Sequence, residues 1–122
     1  MVFAPATQPE LVGPVWQLTA YNNGRGGLQS VLAGTQPTAE FQAAGTVTGS
    51  GGCNTYSASY QTISTSLSIG PVAATRMACE QPIMDQEAAY FAALERTSMY
   101  RFESGRLVLV DSGDARQAEY TQ

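Results

Sequence analysis

The stretch GSGGCNTYSASYQ, residues 49–61, decides between two kinds of fold. Glycines that feed a helix would make the anion cradle of a nucleotide-binding sheet, and a nucleotide-hydrolysing version adds Lys and then Ser or Thr. Here the glycines run into an alternating segment that places Tyr56, Ala58 and Tyr60 on one face. That is the period of a strand with one buried side. The chain has no lysine. Gly51 and Gly52 therefore read as a tight connection, allowing positive φ or the close approach of another group where a side chain would clash.

Working outward, VWQLTAY (15–21) alternates Trp16, Leu18 and Ala20 against Gln17, Thr19 and Tyr21, and NNGRGG follows as a turn. LQSVL (28–32), TAEFQA (38–43), GTVTG (45–49) and SLSIG (66–70) are further short strands, separated by turn-forming residues. At residue 82 the period changes. In PIMDQEAAYFAALERTS the residues Met84, Ala88, Phe91 and Leu94 form one helical stripe, and Pro82 suits a first turn. Asp85 and Glu87 are expected at the end where carboxylates favour the helix dipole, and Arg96 at the other. MYRFE (99–103), GRLVLVD (105–111), a turn SGD and ARQAEY (115–120) complete the pattern. One helix between two groups of strands predicts an α+β domain: a strongly curved antiparallel sheet or small, partly open barrel with one principal helix.

A chain of 122 residues suits a single core. Residues 1–13, rich in Pro and small polar residues, are expected to form a flexible arm or linker, and 14–122 a single domain. That arm and the sheet edges make strand exchange or a homodimer an open arrangement. The net charge of −4 opposes nucleic-acid binding, and no apolar run is long enough for a transmembrane segment. With no histidine, the usual general base and the commonest zinc ligand are missing. Asp111 and Asp114 flank Ser-Gly as a polar hairpin turn rather than as a calcium loop or a catalytic acid pair. No catalytic residue, cofactor or metal ligand is assigned, and the chain is not read as an enzyme.

Cys53 and Cys79 are the two cysteines. They are too far apart for a CxxC redox motif, and a nucleophilic Cys53 would have no histidine to take its proton. A structural disulfide is the expectation, with two buried free thiols as the alternative. The bridge would stabilise the fold by about 3.5 kcal/mol through loop closure and would imply an oxidising compartment.

The ordered set Trp16-Gln17-Leu18, Phe41, Gly52-Cys53-Asn54 with Tyr56, Leu67-Ser68-Ile69-Gly70, Thr75, Met77-Ala78-Cys79, Glu87, Leu94 and GRLVLVD resembles the META domain family, the HslJ-like group. The resemblance spans nearly the whole domain. It implies a curved antiparallel sheet with one principal helix and a periplasmic, envelope-associated or secreted setting, in some members with a part in stress tolerance. It carries over no catalytic residues. The function expected is a noncatalytic envelope or extracellular module that binds a protein or extended peptide. A carrier of lipid or another hydrophobic ligand and a protease inhibitor presenting Arg25 from a loop are the alternatives. Arg25, Tyr56, Tyr60, Arg76 and Tyr90 are the candidate partner or ligand surface.

Overall fold

A computed structural model describes residues 10–122. The order of elements is β1 (Val15–Asn22), β2 (Leu28–Ser30), β3 (Thr38–Phe41), β4 (Thr46–Ser50), β5 (Thr55–Ile63), β6 (Ser66–Ile69), β7 (Ala73–Ala74), α1 (Gln81–Arg96), β8 (Met99–Glu103), β9 (Arg106–Val110) and β10 (Arg116–Thr121). The strands lie in the order β10-β9-β8-β6-β5-β4-β3-β1-β2, with β7 beside β5 and β1 also paired to β10. The fold is thus α+β, as expected: a ring-like antiparallel sheet, not formally a closed barrel, with one long helix.

The two longest strands explain the curvature. β1 pairs with β10 along one edge and divides the other between β3 and β2. β5 pairs with β4 along one edge and divides the other between β7 and β6. Short partners on a shared edge let the sheet turn sharply, and irregularities between Leu18 and Ala20 and between Arg116 and Ala118 bend it further where β10 meets β1 and β9. The thinnest seam is β6 against β8, where only Ser66 and Met99 are ladder partners.

Strands and helix together fill the ring. Trp16, Phe41, Leu67, Leu94, Leu107, Leu109, Tyr90 and Tyr120 are each fully enclosed, so side chains occupy the interior as they do in small barrels. The indole N–H of Trp16 donates to the Leu11 carbonyl (3.1 Å), and Gly13 N–H reaches the Phe41 carbonyl (3.4 Å). Part of the expected arm is thereby tied to the body; residues 1–9 lie outside the described residues. On the sheet exterior, Arg116 bridges Glu103 (2.8 Å) and Glu119 (2.7 Å), and Arg101 bridges Glu103 (2.8 Å) and Asp114 (3.0 Å). Hydrogen bonds from Arg101 and then Arg116 hold the Glu103 carboxyl below its ordinary range. Asp111 closes its turn as expected, its carboxylate accepting the N–H groups of Gly113 and Ala115 (both 2.9 Å).

The helix departs from the expected stripe. Its buried residues are Gln86, Glu87, Tyr90, Ala93 and Leu94, whereas Met84 and Ala88 are exposed and Phe91 is half-buried. An apolar-only count misses this face because two of its members are polar side chains that find partners inside. Gln86 accepts from Leu32 N–H (2.7 Å) and donates to the Thr35 hydroxyl (3.0 Å). Asp85 and Glu87 lie beyond the first turn, which contains no acid, so neither serves the helix dipole as expected. Arg96 does stand in the last turn, donating to the Gln117 side chain (3.0 Å).

Candidate functional site

The glycine-rich turn does cradle an anion, and the anion is the protein's own. Glu87, only 6% exposed, accepts through Oε2 from the N–H groups of Cys53 (3.1 Å) and Asn54 (2.6 Å) and through Oε1 from Asn54 Nδ2 (2.7 Å). Consecutive backbone N–H groups in a turn form a concave anion site, here filled from α1. Gly51 follows from this, and Gly49 from the close approach of the Thr38 backbone. A Cβ on Gly51 would stand 2.6 Å from Glu87 Cγ and 2.7 Å from the Phe91 ring, and one on Gly49 would collide with the Thr38 carbonyl.

Asn54 continues the sheet with its side chain. Thr75 N–H donates to the Thr55 carbonyl (3.1 Å), closing the β5–β7 ladder. Two residues on, Met77 N–H donates to Asn54 Oδ1 (2.6 Å) and the Met77 carbonyl accepts from Asn54 Nδ2 (3.3 Å), so the side-chain amide stands in for a peptide group. Thr75 Oγ1 also donates to Asn54 Oδ1 (2.9 Å). This is the backbone-satisfying use of an asparagine at a turn. Just beyond, the Cys53–Cys79 disulfide is formed, fastening the end of this segment to the turn.

The consequence is an open edge. Antiparallel strands alternate in the direction of their backbone groups. Residues 73, 75 and 77 face β5 and Asn54, so the N–H and C=O groups of Val72, Ala74 and Arg76 point the other way. Val72 N–H meets the Glu95 carboxylate of α1 (2.8 Å). Ala74 and Arg76 are left along a cleft of about 440 Å³ between the segment and the helix. Its helix wall is Met84, Ala88 and Phe91, and Arg76 and Met77 lie on the strand side. Met77 is 61% and Met84 37% exposed.

A family model described as META domain matches residues 9–121. The chain belongs to the META domain family. An NMR structure of a protein from Burkholderia xenovorans is 27% identical, with 99% of this chain and 94% of that one covered and a TM-score of 0.70. A second NMR structure is 19% identical over 95% of both chains, with a TM-score of 0.66. A DUF4847 family protein from Bacteroides vulgatus is 21% identical, over 70% of this chain and 57% of its own, with a TM-score of 0.53; these last two speak to the fold alone. No curated protein sequence matches the chain. The family is associated with bacterial envelope and periplasmic proteins.

Within this META domain the five expected surface residues separate. Arg76 lies on the cleft and forms no ion pair among the described residues. Arg25 is exposed at a distance, in a loop folded by its own asparagines: Asn22 Oδ1 accepts Gly24 N–H (2.8 Å) and Asn23 Oδ1 accepts Arg25 N–H (2.7 Å). Tyr56, Tyr60 and Tyr90 face inward and are buried, so none is a partner-facing surface. Burial suits them because each hydroxyl finds a partner inside. Tyr90 stands between Tyr56 (3.0 Å) and Tyr120 (2.8 Å), Tyr56 donates to the Thr38 carbonyl (2.7 Å), and Tyr60 donates to the Gln42 carbonyl (2.6 Å). Desolvation raises the phenol pKa of Tyr56, Tyr90 and Tyr120 well above the ordinary value. No cluster of three or more His, Cys, Asp or Glu suited to a metal occurs among the described residues, and no described helix is long and apolar enough to cross a membrane.

Sequence reasoning did not find the edge itself. Ala73 and Ala74 form a strand too short for alternation to register, and by period alone Met84 belongs to the apolar helical stripe. The available signal was Asn54, whose side chain can substitute for one more ladder partner.

Proposed function

We propose that this META domain is a noncatalytic binding module of the bacterial envelope, taking an extended segment of another protein into the cleft between residues 72–78 and α1. The observation that carries this reading is the outward-facing backbone of Ala74 and Arg76 beside an apolar wall of Met84, Ala88 and Phe91. Main-chain pairing along such an edge supplies affinity, and alternate side chains pocketed beside it supply specificity. The cleft falls within the range of about 300–1,000 Å³ usual for ligand sites. Support also comes from rigidity: the edge is held by the Asn54 amide and the disulfide, so little ordering opposes binding. A lipid carrier is disfavoured by the filled interior, and an inhibitor loop by the compact folding of the Arg25 turn.

The test is to select decapeptides from a displayed random library and to remake the best binder with single backbone N-methylations. Strand addition predicts that methylation at alternate residues abolishes binding while the intervening positions tolerate it. Amide chemical-shift changes should centre on Ala74 and Arg76. A library with no enriched binder, or binding indifferent to every N-methylation, would overturn the reading.

A further inference from the structure

We infer that the segment bound in this cleft carries a carboxylate, received by Arg76, with small or apolar residues alongside it; the inference rests on the reading of the cleft as a strand-addition site. Two charged residues line the cleft, Arg76 and Glu87. Glu87 is buried and its two oxygens are already taken by three donors, so it has little bonding capacity left for a ligand. Arg76 is the cleft's available charge. Its backbone belongs to the same outward-facing set as Ala74, so a paired strand passes directly beside its side chain. At the opposite end, the Val72 N–H already holds the carboxylate of Glu95. That contact shows the edge donating to an anion inside the molecule, and it places an acid just beyond the Val72 end of the cleft, about four strand residues, roughly 13 Å, from Arg76. A ligand that complements this polarity places its acid at Arg76. Guanidinium and carboxylate match through paired N–H donors. The helix wall of Met84, Ala88 and Phe91 selects the neighbouring side chains: methionine adapts to varied apolar shapes, and the exposed Ala88 leaves room between the two larger residues.

Met77 and Ala78 carry the cleft past Arg76, so a paired strand continues beyond it and the carboxylate is that of an acidic side chain rather than a chain terminus. Decapeptides enriched on the wild-type domain should share an Asp or Glu and should keep binding when their C-terminus is amidated. Replacing the shared acid by its amide should weaken binding about fivefold at low salt, with the difference shrinking as salt is raised. On Arg76→Glu, at an exposed position that forms no ion pair among the described residues, enrichment should turn to Lys or Arg. Enriched peptides without a shared carboxylate, or an acidic preference unchanged in Arg76→Glu, would overturn the inference while alternating N-methylation sensitivity still upheld strand addition. Loss of that alternation would remove both.

Discussion

Replacing Glu87 by Gln tests whether an internal carboxylate organises the whole site. The variant keeps the size of the side chain but supplies one acceptor oxygen instead of two. If its oxygen faces the backbone N–H groups of Cys53 and Asn54, its NH₂ faces the NH₂ of Asn54, donor against donor. Asn54 cannot flip freely to relieve this, because its Oδ1 holds the Met77 N–H (2.6 Å) and the Thr75 hydroxyl (2.9 Å). An orphaned buried donor costs about 1–3 kcal/mol, and weakening of two charge-assisted bonds adds about 1. The expected loss is therefore about 2–4 kcal/mol, a large share of the roughly 5–15 kcal/mol available to a domain. Urea unfolding with the disulfide intact reads it directly. The double variant Glu87→Gln, Asn54→Asp restores the pairing between the two side chains, since an aspartate accepts from the new NH₂ and from Met77 N–H, while the long bond to the Met77 carbonyl (3.3 Å) is given up. It should be more stable than the sum of the single changes by at least about 1 kcal/mol. A Glu87→Gln variant within about 0.5 kcal/mol of the parent, or a strictly additive double variant, would refute the reasoning.

Changing Cys53 and Cys79 together to Ala should lower unfolding stability by about 2–5 kcal/mol, and the unreduced parent should show no free thiol on denaturation; an unchanged urea midpoint would contradict this. The buried phenols of Tyr56, Tyr90 and Tyr120 make the domain alkali-sensitive, because above pH about 10 the unfolded chain releases protons that the folded chain retains. Their contribution is complete below that pH and falls as pH rises, with a limiting slope of about 4 kcal/mol per pH unit for three groups. Urea titrations between pH 9 and 11 should show it, and Tyr90→Phe should remove about a third; a slope worth a single proton would count against the buried cluster.

Much of the architecture was legible along the chain. Alternation in VWQL and TYSASYQ marks strands because neighbouring side chains leave a strand on opposite faces, and this preference is local; past the irregularity between Leu18 and Ala20 the expected face changes, and Tyr21 rather than Ala20 is buried. Pro82 at the first turn of α1 and the Gly-rich connection at 51–52 are likewise written in adjacent residues, as steric permissions. The cysteine pair was also readable, since an expected bridge needs only two thiols at turn-like positions. Which face of α1 turns inward was not. Gln86 and Glu87 are buried because Leu32, Thr35, Cys53 and Asn54 satisfy them across 33 to 54 positions of chain. Tyr56 and Tyr90, candidates for a partner surface, are enclosed because the Thr38 carbonyl accepts the Tyr56 hydroxyl and the hydroxyls of Tyr90 and Tyr120 pair with each other. Arg76 became part of a cleft only when Asn54 extended the β5–β7 ladder and turned alternate backbone groups toward the helix. Strand and helix period depend on the geometry of one residue and its neighbours; the burial of a polar group depends on whether a partner stands within about 3 Å after folding, and only the tertiary structure brings those partners together.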